Sequence, residues 1–390
     1  MKRIIISLFF VVSICIIILN CNEEKKSAFK NIADKNATYV GMNTCRSCHE
    51  EVYKTFIQTG MGQSWGAATK QKSAADFSPL KALVYDTMKD FFYKPFWDGD
   101  SLCILEYRLE GKDTVHKRLE KVSYIVGSGQ HTNSHIININ GYLHQAPITF
   151  YTQKGTWDLA PGFEKGMSSR FERKIELECM SCHNGYPEIV EGSFNKYAQV
   201  QAGIDCERCH GPGSLHVTEK QKGILIDTSK GADYTIVNPR RLNTEEQNNL
   251  CQRCHLQGIT VLNDGKSFFD FLPSQILSNT MNTFLPQYSG SANHMIMASH
   301  VERMKMSNCY EKKGKMSCIS CHNPHVSVKN TPLSQYTNAC NSCHGEKDIC
   351  TEKMDIRMKA NDNCIQCHMA KNSSIDIPHV AVTDHYIRKR

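Results

Sequence analysis

The chain has 390 residues and a formal net charge of +7, and it contains 19 cysteines and 17 histidines. This length excludes a small secreted scaffold held together by disulfides, so attachment of a metal or cofactor is the better interpretation of the cysteines. The positive charge by itself leaves nucleic acid or an anionic membrane open as partners.

The N-terminus predicts export. Lys2 and Arg3 precede an apolar run over residues 4–19, which is shorter than the roughly 20 residues of a membrane span. It suits a signal peptide over residues 1–20. Cys21 follows directly and is the candidate lipidation site; a plain signal peptide and an uncleaved anchor are the alternatives. All three place the protein in the periplasm or at the cell surface. In the lipoprotein interpretation its only membrane contact is an N-terminal lipid anchor, with residues 21–38 as a flexible tether.

One pentapeptide pattern, Cys-x-x-Cys-His, occurs seven times, first within residues 39–80. Its thiols are Cys45, Cys48, Cys179, Cys182, Cys206, Cys209, Cys251, Cys254, Cys318, Cys321, Cys340, Cys343, Cys364 and Cys367. Its trailing histidines are His49, His183, His210, His255, His322, His344 and His368. Two thiols three positions apart lie on one side of a helical turn. They can join the two vinyl groups of one haem as thioethers, and the next imidazole can bind its iron.

Zinc sites and redox-active cysteine pairs are the rival interpretations of the pattern, but neither requires a trailing histidine in every copy. The sequence therefore predicts seven covalently bound haem c groups. Each haem carries two propionates, so the basic residues are better interpreted as propionate partners than as a nucleic-acid surface. We expect no nucleic-acid partner.

Between the first and second motifs, residues 81–165 alternate strand-like runs with the hairpin signals Asp98-Gly-Asp and Asn140-Gly. The other six motifs crowd into residues 166–390, a pattern typical of short helices and loops around haems that lie close together. The predicted fold is mainly α, with short helices and loops wrapped around covalently bound haems. A small antiparallel β insertion over residues 81–165 makes it α+β overall.

Each of the seven irons needs a sixth ligand, and ten histidines lie outside the motifs. The candidate distal ligands are His131, His216, His300, His325, His379, His385 and His294. His216 and His325 each follow a motif after a proline, so we expect each to serve a neighbouring haem. Met61 is an alternative ligand for the first haem, where it would raise the reduction potential.

Three cysteines remain after the motifs, the signal peptide and the lipidation site are assigned. Cys309 and Cys350 bracket the fifth and sixth motifs and are a candidate disulfide, which export permits. Cys103 lies in a strand-like run, where we expect a buried thiol.

Four stretches resemble a known family: GIDCERCHGPGSLH at 203–216, GSGQH at 127–131, ECMSCHN at 178–184 and DIPHVAVTDH at 376–385. They are similar to bacterial multihaem cytochromes related to the cytochrome c-554 group. The wider group includes pentahaem nitrite reductase and octahaem hydroxylamine oxidoreductase. The resemblance implies a mainly helical, haem-packed fold and electron transfer, and leaves catalysis open. Pentahaem nitrite reductase typically binds its catalytic haem through Cys-x-x-Cys-Lys, whereas all seven motifs here end in histidine.

Three functions follow from these features. The favoured one is electron transfer between redox partners outside the cytoplasm through mostly bis-His haems. The partners would be a quinol-oxidising complex, a terminal reductase or other cytochromes. The second is an oxidoreductase that reduces or oxidises a small nitrogen or sulfur oxyanion at one open haem, for which no catalytic residue stands out. The third is a structural subunit of a larger redox complex.

Overall fold

The computed structural model describes residues 27–285, 295–313, 316–345, 350, 352–359 and 363–388. The predicted signal peptide, Cys21 and His294 lie outside these residues. Within the described ranges, no helix is long and apolar enough to cross a membrane.

The helices are short. They are α1 Lys30–Ala33, α2 Met42–Arg46, α3 Glu50–Phe56, α4 Leu177–His183, α5 Glu207–His210, α6 Ser214–Gln221, α7 Thr244–His255, α8 His300–Lys305, α9 Asn308–Lys313, α10 Leu333–Asn341, α11 Met354–Lys359 and α12 Cys364–His368. Single turns of 3₁₀-helix cover Pro239–Arg241, Leu277–Asn279 and Cys318–Ser320. The motifs set these lengths: α4, α5, α7 and α12 each end at the trailing histidine of a motif.

The strands concentrate between the first and second motifs. They are β1 Trp65–Ala67, β2 Val84–Asp86, β3 Phe91–Asp98, β4 Ser101–Glu110, β5 Asp113–Val126, β6 Thr132–Ile139, β7 Tyr142–Tyr151 and β8 Thr156–Leu159. Later strands are β9 Glu188–Ile189, β10 Tyr197–Gln199, β11 Ile259–Leu262, β12 Met281–Phe284, β13 Lys371–Ser373 and β14 Ala381–Thr383, which pair as three two-stranded ribbons.

Strands β2 to β8 form an antiparallel meander in sequence order, and β1 pairs with β5 as the eighth strand. The predicted turn at Asn140-Gly141 is confirmed, because both residues have positive φ, 53° and 91°, as the tight hairpin turn requires. Burial alternates along β3, where Tyr93 and Pro95 are buried and Lys94 is exposed. Such alternation indicates a sheet with one covered face.

The sheet curls so that its two end strands, β2 and β8, approach each other. Val84 on β2 and Trp157 on β8 belong to one buried cluster, which also contains Leu102, Ile104 and Ile125. The cluster therefore fills the inside of a nearly closed, barrel-like sheet.

The expectation of a mainly α fold with a small β insertion is wrong. Helix and strand each account for 25% of the chain, and the antiparallel sheet is large and nearly closed. The haem-binding segments form few helical turns because each motif needs only one turn. The sheet is also wider than predicted, since β1 at Trp65–Ala67 joins it from before residue 81.

Residues 27–38, which the sequence assigned to a flexible tether, pack against the haem-binding half. Phe29 and Asn31 are buried, at 5% and 1% exposure. The amide of Asn31 donates hydrogen bonds to the carbonyl oxygens of His210 and Pro212 at 3.0 and 3.1 Å. This stretch therefore contributes to the folded unit beside the third motif.

One buried ion pair lies within the sheet. Glu106 on β4 is fully buried and accepts hydrogen bonds from the guanidinium of Arg170, and His116 on β5 lies 2.9 Å from the same carboxylate. Burial opposes ionisation, but the hydrogen bonds from Arg170 and His116 hold the pKa of Glu106 below its usual value. The carboxylate is therefore charged at neutral pH.

Arg170→Met is expected to lower the free energy of unfolding by about 3 kcal/mol, because it leaves Glu106 as a buried charge without its main partner. Urea denaturation followed by far-ultraviolet circular dichroism measures the loss. Arg108→Met is the control, because Arg108 pairs with the exposed Glu110, and such pairs contribute about 1 kcal/mol or less. Equal losses in the two variants would contradict this account.

Candidate haem sites

The local backbone of the motifs brings both thiols and the histidine to one side of the chain. The second, fourth and seventh motifs lie within helices α4, α7 and α12, and in the other four the backbone N–H of the trailing histidine donates to the carbonyl of the first cysteine. The distances are 3.0 Å for His49, 3.1 Å for His210, 2.9 Å for His322 and 3.0 Å for His344. This single turn is the arrangement that attachment to one haem requires.

Several histidines outside the motifs lie opposite trailing histidines. The ring centroids of His49 and His216 are 6.4 Å apart, and those of His210 and His325 are 5.9 Å apart. Two imidazoles that bind one metal ion from opposite sides, each at about 2 Å, hold their ring centroids roughly 6 Å apart. Both separations therefore suit an iron held between the two rings.

A third group of histidines joins the fourth and fifth motifs. His300 lies 5.4 Å from His255 and 4.8 Å from His385 between ring centroids, and His385 lies 6.0 Å from His322. Burial lowers the pKa of His385 to about 4, and burial together with the neighbouring His385 lowers that of His300. Both rings are therefore neutral at pH 7, the form that binds a metal ion.

The second nitrogen of several rings is hydrogen-bonded in the way that metal-binding histidines require. Nδ1 of His210 lies 2.8 Å from the carbonyl oxygen of Val237, and Nδ1 of His368 lies 2.8 Å from that of Arg388. Nδ1 of His385 lies 3.1 Å from the carbonyl oxygen of Thr383. A carbonyl only accepts, so each Nδ1 carries the proton and each Nε2 keeps a free lone pair. That is the tautomer that binds iron.

The other predicted distal ligands lie elsewhere. His131 contacts Gln153, and His379 lies 2.7 Å from Asp158, both beside the β7–β8 hairpin. No second histidine is placed opposite either ring in the part of the chain that the structure describes, so their ligand role stays a prediction. Asp376, three residues before His379, accepts a hydrogen bond from the backbone N–H of Met297 at 2.9 Å.

Of the remaining cysteines, Cys103 is buried on β4, as predicted. Cys309 is half-buried and Cys350 exposed, and the structure holds them as separate thiols. Their disulfide therefore stays a prediction. Cys309 lies close enough to the thiols of Cys321 and Cys340 to influence both.

Thiols of different motifs lie near one another. Four pairs are near enough for one thiol to shift the pKa of its neighbour: Cys45 of the first motif and Cys206 of the third, Cys182 of the second and Cys254 of the fourth, Cys251 of the fourth and Cys318 of the fifth, and Cys340 of the sixth and Cys364 of the seventh. Cys209 and Cys254 interact only through longer-range electrostatics, as do Cys321 and Cys343. Each of the seven motifs therefore has a thiol with a neighbour in another motif.

Two buried arginines were missed by the sequence reasoning. Arg208 and Arg253 occupy the second variable position of the third and fourth motifs and are 1% and 8% exposed. Variable positions of a short motif are ordinarily solvent-facing, so spacing gave no reason to select them. Their only signal was that this position is arginine in two of the seven motifs.

The donor set fits haem c. Paired thiols with an adjacent imidazole are placed for covalent attachment, and the described histidine pairs have the separation of two axial ligands. The residues that would hold each haem are the two cysteines and trailing histidine of its motif. His216, His300, His325 and His385 would complete four of the irons. A haem bound in this way supplies a one-electron ferric–ferrous couple.

Comparisons with known families agree with this chemistry. Residues 312–349 match the doubled CXXCH motif family, and residues 155–211 match the family of cytochrome c554 and c-prime. The chain is a multihaem c-type cytochrome, as its resemblance to the c-554 group predicted, and it binds haem c covalently.

Among characterised proteins, the chain is similar to the multihaem cytochrome MtrA of Shewanella baltica, with 23% identity over 209 residues. It is also similar to the c-type polyhaem cytochrome OmcB of Geobacter sulfurreducens, with 24% identity over 195 residues. The matches span 47% and 43% of this chain, but only 57% of MtrA and 24% of OmcB.

The fold is similar to that of the outer cell wall cytochrome OcwA. The TM-score is 0.54 at 15% sequence identity, and the match covers 90% of this chain and 79% of OcwA. The likeness therefore extends over the β-sheet as well as the haem-binding half.

The proposed axial pair of the first haem leads to a spectroscopic prediction. His216→Ala is expected to convert about one haem per protein from low-spin to high-spin ferric, because His216 is the ring that faces His49. Low-temperature EPR of the oxidised protein measures the change. The control is His144→Gln on β7, whose ring faces no motif histidine in the described residues and should leave the spectrum unchanged. A low-spin His216→Ala spectrum would exclude His216 as the ligand.

Proposed function

We propose that this protein is an exported electron-transfer cytochrome that carries seven covalent haem c groups and conducts electrons along them. The observation that carries the proposal is the proximity of thiols from different motifs, close in four pairs and at electrostatic range in two more. A thioether sulfur is bonded directly to its haem, so neighbouring sulfurs mark neighbouring haem edges. Electron tunnelling weakens steeply with distance, and closely spaced haem edges therefore favour rapid transfer.

The proximity of these thiols supports a proposed order for the haems. The series runs from the first motif to the third, fourth, fifth, sixth and seventh, and the second motif branches from the fourth through Cys182 and Cys254. This order differs from the order of the motifs in the sequence, because the second motif is a side branch and does not lie between the first and the third. The fourth haem is then the junction through which the two ends communicate.

Exposed thiols indicate where electrons enter and leave. Cys48 of the first motif, Cys179 of the second and Cys343 of the sixth are exposed, whereas the thiols of the third, fourth and fifth motifs are at least half-covered. The outer haems would exchange electrons with partners while the central haems stay covered. The partner class is redox proteins, namely a quinol-oxidising complex on one side and a terminal reductase or other cytochrome on the other.

The location of the protein is also part of the proposal. Covalent haem attachment, the signal-like run over residues 4–19 and the name of the outer cell wall cytochrome OcwA all support a place outside the cytoplasm. Cys21 would carry the lipid anchor. We propose residues 39–80 as a first haem segment that also supplies β1 to the sheet, residues 81–165 as the rest of a β scaffold, and residues 166–390 as a six-haem domain.

Removing the junction haem tests the conduit. Cys251→Ser together with Cys254→Ser leaves the fourth motif without haem, and Cys45→Ser with Cys48→Ser removes the terminal first haem as the matched control. Mass spectrometry should find seven haems in the parent and six in each variant. A reduced sample is mixed with an oxidised monohaem cytochrome in a stopped-flow instrument. We expect the haems of the parent and of the control to be oxidised together in one kinetic phase. The junction variant should show separate phases.

Two results would overturn the proposal. One is the absence of electron exchange between the parent protein and any redox partner protein. The other is a high-spin haem in the parent whose EPR signal shifts on addition of nitrite or hydroxylamine. That second result would replace the conduit with an oxidoreductase that binds a small nitrogen compound at an open iron.

A further inference from the structure

A buried ion pair joins helix α8 to the C-terminal segment of the chain. Nε of Arg303 donates to one carboxylate oxygen of Asp384 at 2.8 Å, and Nη2 donates to the other at 2.6 Å. Both side chains are only 2% exposed. Two parallel hydrogen bonds between a guanidinium and a carboxylate fix their relative orientation as well as their distance. The pair therefore holds α8 and residue 384 in one relative position.

A candidate distal ligand lies next to each partner of this ion pair. His300 is the first residue of α8, about one turn before Arg303, and His385 directly follows Asp384. The ring centroids of the two histidines are 4.8 Å apart. His300 faces the trailing histidine of the fourth motif, and His385 faces that of the fifth. A change at the ion pair would therefore reach two rings that face motif histidines.

Ser307 provides a second link between the same two segments. It follows α8 and is fully buried. Its hydroxyl donates to the backbone carbonyl of His385 at 3.3 Å and accepts from the backbone N–H of Ile387 at 2.9 Å. These bonds hold the backbone from which the ring of His385 projects.

Asp384 is also bound within the C-terminal part of the chain. It accepts from Nδ2 of Asn372 at 2.8 Å, from Nη2 of Arg388 at 2.9 Å and from the backbone N–H of Tyr386 at 2.9 Å. The carboxylate therefore keeps a cationic partner, Arg388, when Arg303 is replaced. Replacing Arg303 removes the link to α8 without leaving a buried anion unpaired.

Stability alone is a weak reason for a buried ion pair. Removing two charges from water costs several kcal/mol for each ion, which offsets much of their mutual attraction, and well-packed apolar residues often stabilise a protein as much. Apolar residues, however, do not fix an orientation as a bidentate pair does. The distinctive contribution of Arg303 and Asp384 is therefore geometric.

We propose that Arg303 and Asp384 are positioning residues whose ion pair, together with Ser307, holds the rings of His300 and His385 at the irons of the fourth and fifth haems. The proposal rests on the haem loading in the proposed function and deepens it, but it needs no redox partner. The ion pair acts through the backbone of α8 and of the C-terminal segment, and it touches neither haem in this account.

Low-temperature EPR of the oxidised protein reports the positions of the rings. The signal of a low-spin ferric haem depends on the angle between its two axial imidazole planes. That angle is 88° between His255 and His300 and 30° between His322 and His385. A displaced ring shifts the low-spin signal, and a lost ring gives a high-spin signal. A general loss of stability does neither while the protein stays folded.

The test makes the same substitution at two buried ion pairs. Arg303→Met breaks the link to α8. Arg170→Met is the matched control, because it removes the partner of the buried Glu106 on β4. Mass spectrometry gives the haem content of each variant, and urea denaturation gives its free energy of unfolding.

We expect Arg303→Met to change the EPR signals of about two haems per protein, by a low-spin shift or by conversion to high spin. Arg170→Met should keep the parent spectrum although it lowers the free energy of unfolding. A parent spectrum in fully loaded Arg303→Met would overturn the proposal. So would equal spectral changes in the two variants, which indicate general destabilisation.

Ser307→Ala decides the matter if Arg303→Met loses haem, because it removes only one buried hydroxyl. We expect it to change the EPR signal of about one haem, the one that His385 would bind. A fully loaded Ser307→Ala protein with the parent spectrum would then overturn the proposal. The proposed electron conduit is tested by stopped-flow exchange instead, so failure of one proposal is distinguishable from failure of the other.

Discussion

The proposed haem binding places one constraint on the whole chain: an iron with two histidine ligands must draw them from different parts of the sequence. A motif supplies both thioethers and one imidazole within a single turn, and the second imidazole must come from another segment. His49 faces His216, and His210 faces His325. An iron held between the rings of such a pair would tie two distant segments together, which is the role that a hydrophobic core has in an ordinary helical domain.

This requirement explains why the haem-binding half has so little regular structure. Its largest buried apolar clusters are small, and one of them contains only Leu250, Phe271, Leu277 and Met281. Long amphipathic helices are unnecessary where haems fill the interior. The sheet has the opposite character, with a continuous apolar core and a buried ion pair at Glu106 and Arg170.

The two halves meet through buried side chains, so the sheet is a scaffold rather than an appendage. Trp65 and Ile136 of the sheet pack in one cluster with Met180 of the second motif. Tyr151 of β7 packs with Val380 and Val382 of the C-terminal ribbon. That ribbon leads directly to His385, so the position of the sheet helps to set the position of a proposed ligand.

Buried arginines of this protein occur in two different arrangements. Arg303 and Asp384 are each 2% exposed and form a close ion pair beside His385, to which Arg388 adds a second cation. Arg208 and Arg253, at 1% and 8% exposure, stack on aromatic rings and form no salt bridge with a carboxylate among the described residues. The first arrangement pairs opposite charges within the protein, whereas the second holds two cations by backbone hydrogen bonds and aromatic stacking.

The sequence by itself determined the chemistry, because haem attachment is encoded within five consecutive residues and needs no long-range contact. It also predicted the region of the sheet and its turn at Asn140-Gly141, since hairpin signals are local. It overestimated the helix content, because the crowded motifs indicated a helical haem-binding half whereas each motif needs only one helical turn. The joining of β1 to β5 from before residue 81 could not be foreseen from local signals.

Only the tertiary structure decided which parts of the chain meet. The facing of His49 and His216, the contact between the second and fourth motifs, and the burial of Arg208 and Arg253 all join residues far apart in the sequence. No local pattern encodes such meetings, because they depend on how the whole chain packs. The same physical reason leaves His131 and His379 as predictions: their residue type qualifies them as ligands, but only packing around an iron can make them so.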